Sequence, residues 1–134
     1  MPGKITVYTD GACKGNPGPG GWAALIIDER AKETLISGGP IPHTTNQRME
    51  VTAAIQGLRH VPPGSSITLR SDSLYVVNTM ELNWKRRANH DLWAELDALV
   101  AQRSVAFEWV RGHNGHPQQE RVDEAASKAA TNGR

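Results

Sequence analysis

The chain has 134 residues, 38% hydrophobic and 22% charged, and its 15 Lys and Arg against 14 Asp and Glu leave a formal net charge of +1. That size and balance suit a single domain spanning residues 1–134 with room for a real core, and neither demand nor forbid a nucleic acid partner. One cysteine excludes an internal disulfide, and the apolar run Trp22 to Ile27 is far too short to cross a bilayer, so a soluble, cytoplasmic protein with no membrane partner is expected.

The alternating run Ile5-Thr6-Val7-Tyr8-Thr9 reads as a half-buried strand that closes on Asp10. Gly11 to Gly21 holds too much Gly and Pro for a helix and reads as a turn. Trp22 to Ile27 is a strand buried on both faces, and Glu33 to Ser37 a third strand, ended by Gly38-Gly39-Pro40. The short links predict an antiparallel meander. Thr44 or Thr45 caps a helix to about Leu58, with Val51, Ala54, Ile55 and Leu58 as its buried stripe. Ser66 to Arg70 is a fourth strand, and the helix-long connection before it implies a parallel, right-handed crossover.

A short helix from Leu74 to Met80 and a basic, aromatic-bearing connector, Asn83 to His90, follow. Asp91 can cap a helix with the stripe Leu92, Leu96, Leu99 and Val100. Ser104 to Arg111 is a fifth strand, Gly112 to His116 a loop, and Pro117 opens a last helix with Val122, Ala125, Ala126 and Ala129 inward. The order β-β-β-α-β-α-α-β-α predicts an α/β fold: a mixed five-stranded sheet, three strands antiparallel and then two parallel, flanked by helices.

Asp10 and Asp72 close neighbouring parallel strands in this scheme and emerge at the same sheet end, where open α/β sheets place their ligands. Glu50, next to buried Val51, and Asp123, next to buried Val122, lie at the margins of their helices' core faces. Taken singly, each acid has an ordinary reading as a cap, a first-turn acid or a solvated side chain. Taken together they do not sit easily: two unit charges ~4 Å apart at an effective dielectric of ~20 repel by about 4 kcal/mol. Such a cluster must protonate or hold cations, and oxygen-only ligands point to Mg²⁺ or Mn²⁺ rather than zinc.

Tyr8-Thr9-Asp10-Gly11-Ala12, Thr45-Asn46-Gln47-Arg48-Met49-Glu50, Ser71-Asp72-Ser73, and Gly112-His113 with Glu120-Arg121-Val122-Asp123-Glu124 resemble type 1 ribonuclease H, in order over nearly the whole chain. The resemblance implies the ribonuclease H-like fold, endonucleolytic hydrolysis of the RNA strand of RNA–DNA hybrids to 3′-hydroxyl and 5′-phosphate ends, and a monomer. It implies that Asp10, Glu50, Asp72 and Asp123 carry the metal, two Mg²⁺ ions with substrate and Mn²⁺ as a possible substitute. It makes His113 the mobile histidine that assists proton transfer or product release, a task its near-neutral pKa suits. His116, before the helix proline, reads as structural or capping.

The same resemblance places Gly11, Cys13 and Asn16 against RNA 2′-hydroxyls and nearby bases, the 2′-hydroxyl being the group that distinguishes RNA from DNA. It assigns Asn46 and Gln47 to bases of both strands and Thr45 and Asn89 to a DNA phosphate, with His43 at a position often basic. The chain departs from the pattern between Leu82 and His90, where several bacterial relatives carry a long basic helix and loop. One basic cluster and Trp84 remain there, Trp84 being placed either to stack on a DNA sugar or to pack. Phosphate contacts dominate affinity, so weaker hybrid binding than in a relative with the full protrusion is expected. Leu74 also stands where a polar residue is common in relatives, so one groove contact of the family does not carry over by resemblance. The fold also serves integrases and junction resolvases, but the joined Asn46-Gln47 and His113 features favour RNA cleavage.

Overall fold

The computed structural model describes residues 4–111 and 116–131. Strands β1 (Lys4–Cys13), β2 (Gly18–Ile27), β3 (Glu33–Thr44), β4 (Ser66–Ser71) and β5 (Ser104–Trp109) form one sheet in the order β3-β2-β1-β4-β5. β1, β2 and β3 are antiparallel neighbours, while β4 runs parallel to β1 and β5 parallel to β4. Helices α1 (Asn46–Arg59), α2 (Leu74–Glu81), α3 (His90–Val100) and α4 (Pro117–Thr131) complete the predicted order. Among the described residues no helix is long and apolar enough to cross a membrane.

Strand alternation divides the core. Val7, Ile67, Leu69 and Phe107 face one side and meet Val51, Ala54, Ile55 and Leu58 of α1, Val76 and Val77 of α2, and Trp93 and Leu96 of α3. Tyr8, Ala23 and Leu25 pack with Val122 and Ala126 of α4 in a second cluster. Each fully buried Leu or Val contributes roughly 1.5–3 kcal/mol. The β5 edge is partly closed: the Glu81 carboxylate accepts the Phe107 N–H at 2.9 Å, which satisfies one outward donor of that strand.

Several local expectations change. β1 does not close on Asp10 but continues to Cys13, and β2 starts at Gly18, so the Gly-rich segment is mostly strand, with Gly11, Ala12 and Cys13 opposite Trp22, Gly21 and Gly20. Glycines here admit close neighbours: a Cβ on Gly21 would lie 2.5 Å from the Ala130 N of α4. β3 likewise runs through Gly38-Gly39-Pro40 to Thr44. β5 ends at Trp109, two residues before the expected end. Asp91 does not cap α3; Asn89 holds that position at φ 61°, and Arg48 takes the Asp91 carboxylate in a two-pronged contact at 3.1 and 2.8 Å. Trp93, absent from the expected stripe, is the buried anchor of α3 together with Leu96.

Candidate active site

β1 and β4 pair as far as Thr9 and Ser71, so Asp10 and Asp72 are the next residues on each side of the point where the parallel ladder ends. Ser71 Oγ accepts the Ser73 N–H at 3.0 Å, which turns the chain at Asp72, and Ser73 then caps α2 through the Val76 N–H. Thr45 caps α1 by accepting the Arg48 N–H at 3.2 Å, and five residues on Glu50 is buried at the helix–sheet junction. Asp10, Glu50 and Asp72 thereby bring carboxylate oxygens within 4.8 Å of one another. Asp123, in the second turn of α4, is half-buried and lies outside that three-residue group. Its charge still raises the pKa values of both Asp10 and Glu50.

The Gly11 N–H donates to Asp10 Oδ1 and Glu50 Oε1, both at 2.9 Å, and so bridges two of the three acids. A Cβ on Gly11 would lie 2.5 Å from the Glu50 N and the Met49 C, so only glycine lets β1 approach α1 this closely. Asp10 is 3% exposed, and burial first, then the Glu50, Asp72 and Asp123 charges, push its carboxyl far above the usual carboxylate range. Glu50 rises too, chiefly by burial and the Asp72 charge, against hydrogen bonds from Asp10 and Gly11 that lower it. The donor set is oxygen-only, close-spaced and short of positive charge, which fits a hard divalent cation.

The α4 side is tied by Gln119, 2% exposed, whose Nε2 donates to the Thr9 carbonyl at 3.0 Å where β4 no longer continues beside β1. Gln119 lies one helical turn before Asp123, a spacing visible in the sequence, and sequence reasoning missed it. It also missed Arg48, whose Nη1 donates to Asn89 Oδ1 at 3.2 Å while Asn89 Nδ2 donates to the Tyr75 hydroxyl at 3.1 Å. These bonds join the start of α1, the start of α3 and α2.

The remaining candidates fall on one surface or off it. Asn16 Oδ1 accepts the Asn46 N–H at 2.9 Å, joining the β1–β2 turn to the α1 terminus, where Asn46 and Gln47 are exposed. Cys13 Sγ donates to the Gly18 and Thr44 carbonyls at 3.5 and 3.4 Å, and the thiol helps close the turn. His43 and Trp84 are exposed, Trp84 at 48%. The His116 carbonyl accepts the Glu120 N–H at 3.0 Å, in line with its capping role. His113 lies outside the described residues.

The basic connector is less basic toward solvent than its composition suggests. Arg86 pairs with Asp97, donates to Met80 Sδ at 3.5 Å and covers the Trp93 ring at 5.2 Å. Arg86→Gln is expected to lower the thermal midpoint by a few degrees with affinity for a polyanion such as heparin nearly unchanged, whereas Arg87→Gln should lower that affinity and leave the midpoint in place. Parallel melts and binding titrations check this, and a loss of affinity confined to Arg86→Gln would contradict it.

Residues 2–131 match the RNase H family model. The chain is 44% identical over 141 residues to the Ribonuclease H of Pseudomonas putida (strain W619), covering 96% of this chain and 94% of that protein. It is 45% identical over 141 residues to the Ribonuclease H of Marinobacter nauticus, covering 96% and 95%. Among solved structures, LC11-RNase H1 in complex with an RNA/DNA hybrid superposes with a TM-score of 0.82 at 26% identity, covering 94% of this chain and 96% of that one.

Proposed function

The chain belongs to the RNase H family, and from that premise we propose that it hydrolyses the RNA strand of RNA–DNA hybrids endonucleolytically, leaving 3′-hydroxyl and 5′-phosphate ends. The observation that carries the reading is the convergence of Asp10, Glu50 and Asp72, acids from a strand, a helix and a turn far apart in sequence. Asp10, Glu50, Asp72 and Asp123 hold Mg²⁺, two ions when substrate is present, with Mn²⁺ as a substitute. Bound there, the ions supply the activation of water and the stabilisation of a leaving oxygen that an in-line displacement needs. Gly11 fixes Asp10 and Glu50 to each other, and Gln119 holds the helix of Asp123 against β1.

Substrate lies across the joined surface of the β1–β2 turn and the α1 terminus. Gly11, Cys13 and Asn16 face RNA 2′-hydroxyls, and Asn46 and Gln47 reach base edges. Thr45 uses its oxygen as a cap and retains a hydroxyl hydrogen for a DNA phosphate. Asn89 commits its oxygen to Arg48 and one amide hydrogen to Tyr75, and directs the other to that phosphate. Trp84 stacks on a DNA sugar, and His113 moves a proton or assists product release. Residues 1–134 act as one domain, as a monomer in the cytoplasm, a setting that the single cysteine suits.

The test is labelled hybrid incubated with Mg²⁺ or Mn²⁺, with EDTA and with DNA duplex as comparisons. RNA-strand fragments bearing 5′-phosphates are expected only with metal and only from the hybrid; cleavage that persists in EDTA would sink the reading. His113→Ala should keep measurable turnover, reduced by about 10²-fold, because a proton-transfer group supplies only part of the rate enhancement. Complete loss with intact metal binding would remove the auxiliary role. Grafting a basic helix into 82–90 should tighten hybrid binding and steepen its salt dependence.

A further inference from the structure

The end of β5 carries two side chains that the catalytic reading does not use. Trp109 is 44% exposed, and lone exposed aromatics are ordinary on protein surfaces. This one is fastened: its indole N–H donates to the Asp72 carbonyl at 3.2 Å, which ties the ring to the backbone of a clustered acid. Arg111, two residues on, holds its guanidinium carbon 5.8 Å from the centroid of that ring. Arg48, Arg59, Arg70, Arg86 and Arg121 each pair with a carboxylate; Arg111, like Arg30, Arg87 and Arg103, makes no ion pair with a described residue, and of these four it is the one set over an aromatic ring.

An aromatic face suits this arrangement better than a carboxylate would. Attraction to the ring face restrains the guanidinium without a hydrogen bond, and no described residue accepts from its five N–H donors. A polyanionic strand approaching an acid cluster meets repulsion, and a cation on the end of the strand that flanks it offsets part of that repulsion. We propose that Arg111, held on the Trp109 ring, is a substrate-binding residue that takes a phosphodiester of the RNA strand next to the one cleaved. The inference rests on the hybrid-cleaving reading, adds a contact on the β5 side of the acids, and makes Trp109 a positioning residue for Arg111.

Steady-state cleavage of a hybrid by the full chain at several NaCl concentrations tests it, with wild type, Arg111→Gln, Arg111→Lys and Trp109→Phe compared. Arg111→Gln is expected to raise KM about 3–10-fold with kcat within about twofold, and to flatten the slope of log(kcat/KM) against log[NaCl] by about 0.9, the value for one lost phosphate contact. Arg111→Lys should recover most of the slope, and Trp109→Phe, which keeps a ring, should keep it. The Mg²⁺ concentration that half-saturates the thermal upshift should be unchanged in Arg111→Gln. An unaltered slope and KM in a series whose wild type cleaves the hybrid would overturn this inference alone. A fall in kcat with a shifted Mg²⁺ midpoint would overturn it in favour of mere support for Asp72. A wild type that leaves the hybrid intact would overturn the functional reading and this inference with it.

Discussion

Asp10→Asn is expected to abolish hydrolysis, by about a thousandfold or more, and at the same time to raise the thermal midpoint of the metal-free protein by roughly 3–10 °C. The two effects have one cause. Asp10 is 3% exposed among Glu50, Asp72 and Asp123, with the Gly11 N–H as its compensating donor. A carboxylate in that place suits a divalent cation and is unfavourable without one. Asparagine keeps the shape and an acceptor oxygen but removes the charge, which relieves the repulsion and takes away the anionic oxygen that the proposed metal site uses.

The sign of the pH dependence follows. The folded-state pKa of Asp10 is raised well above its ordinary value near 3.8, so folded protein retains a proton that unfolded chain has released. Stability is therefore fully present below about pH 4 and falls as pH rises from there toward the raised value; Glu50 adds a slope of the same sign. Melts of metal-free wild type and Asp10→Asn should converge near pH 4 and separate increasingly toward pH 8. Saturating Mg²⁺ should stabilise wild type strongly and Asp10→Asn weakly. A variant less stable than metal-free wild type at pH 8, or one that still cleaves at the wild-type rate, would contradict the assignment.

Gly11→Ala should damage function and stability together. The added carbon would meet the Glu50 N and Met49 C at 2.5 Å and Met49 Cβ at 2.8 Å. Two of these are backbone atoms of α1, which cannot rotate away, so β1 and α1 must separate. Overpacking of this kind costs about 3 kcal/mol or more. Separation also breaks the 2.9 Å bond from Gly11 to Glu50, so metal affinity should fall along with stability. Thermal melts with and without Mg²⁺ measure both, and a variant within a degree of wild type with normal metal response would show that the approach is not needed.

Much of the fold was legible because its signals are periodic. The stripe of Val51, Ala54, Ile55 and Leu58 and the alternation about Val7 and Tyr8 identified elements and faces together. The acids were legible as a set because the strand and helix ends that carry them could be placed in topological order. The Gly-rich strand segment was not: glycines carry no side chain to alternate, and their pairing depends on Gly20 and Gly21 meeting β1 from far along the chain. Asp91 misled because a helix-start acid also suits a distant arginine, and Arg48 lies 43 residues away. Trp109 gave no local signal, and Gln119 gave only its one-turn offset from Asp123, since the partners of both are main-chain carbonyls that composition does not mark.

The Arg48 bonds have a consequence for how this chain can vary in length. The start of α3 is referenced to α1 through Asn89 and Asp91, and to α2 through Tyr75, rather than through the residues that lead up to it. Residues 83–85 and 87–88 take no part in these ties, so they need not act as a spacer as long as Arg86 keeps Asp97 and Asn89 keeps Arg48. Changes at 83–85 and 87–88 alter how much cationic surface is presented without touching the bonds that set α3. Length and charge in this stretch are thereby uncoupled from the frame that holds the acids, as is usual for exposed connectors.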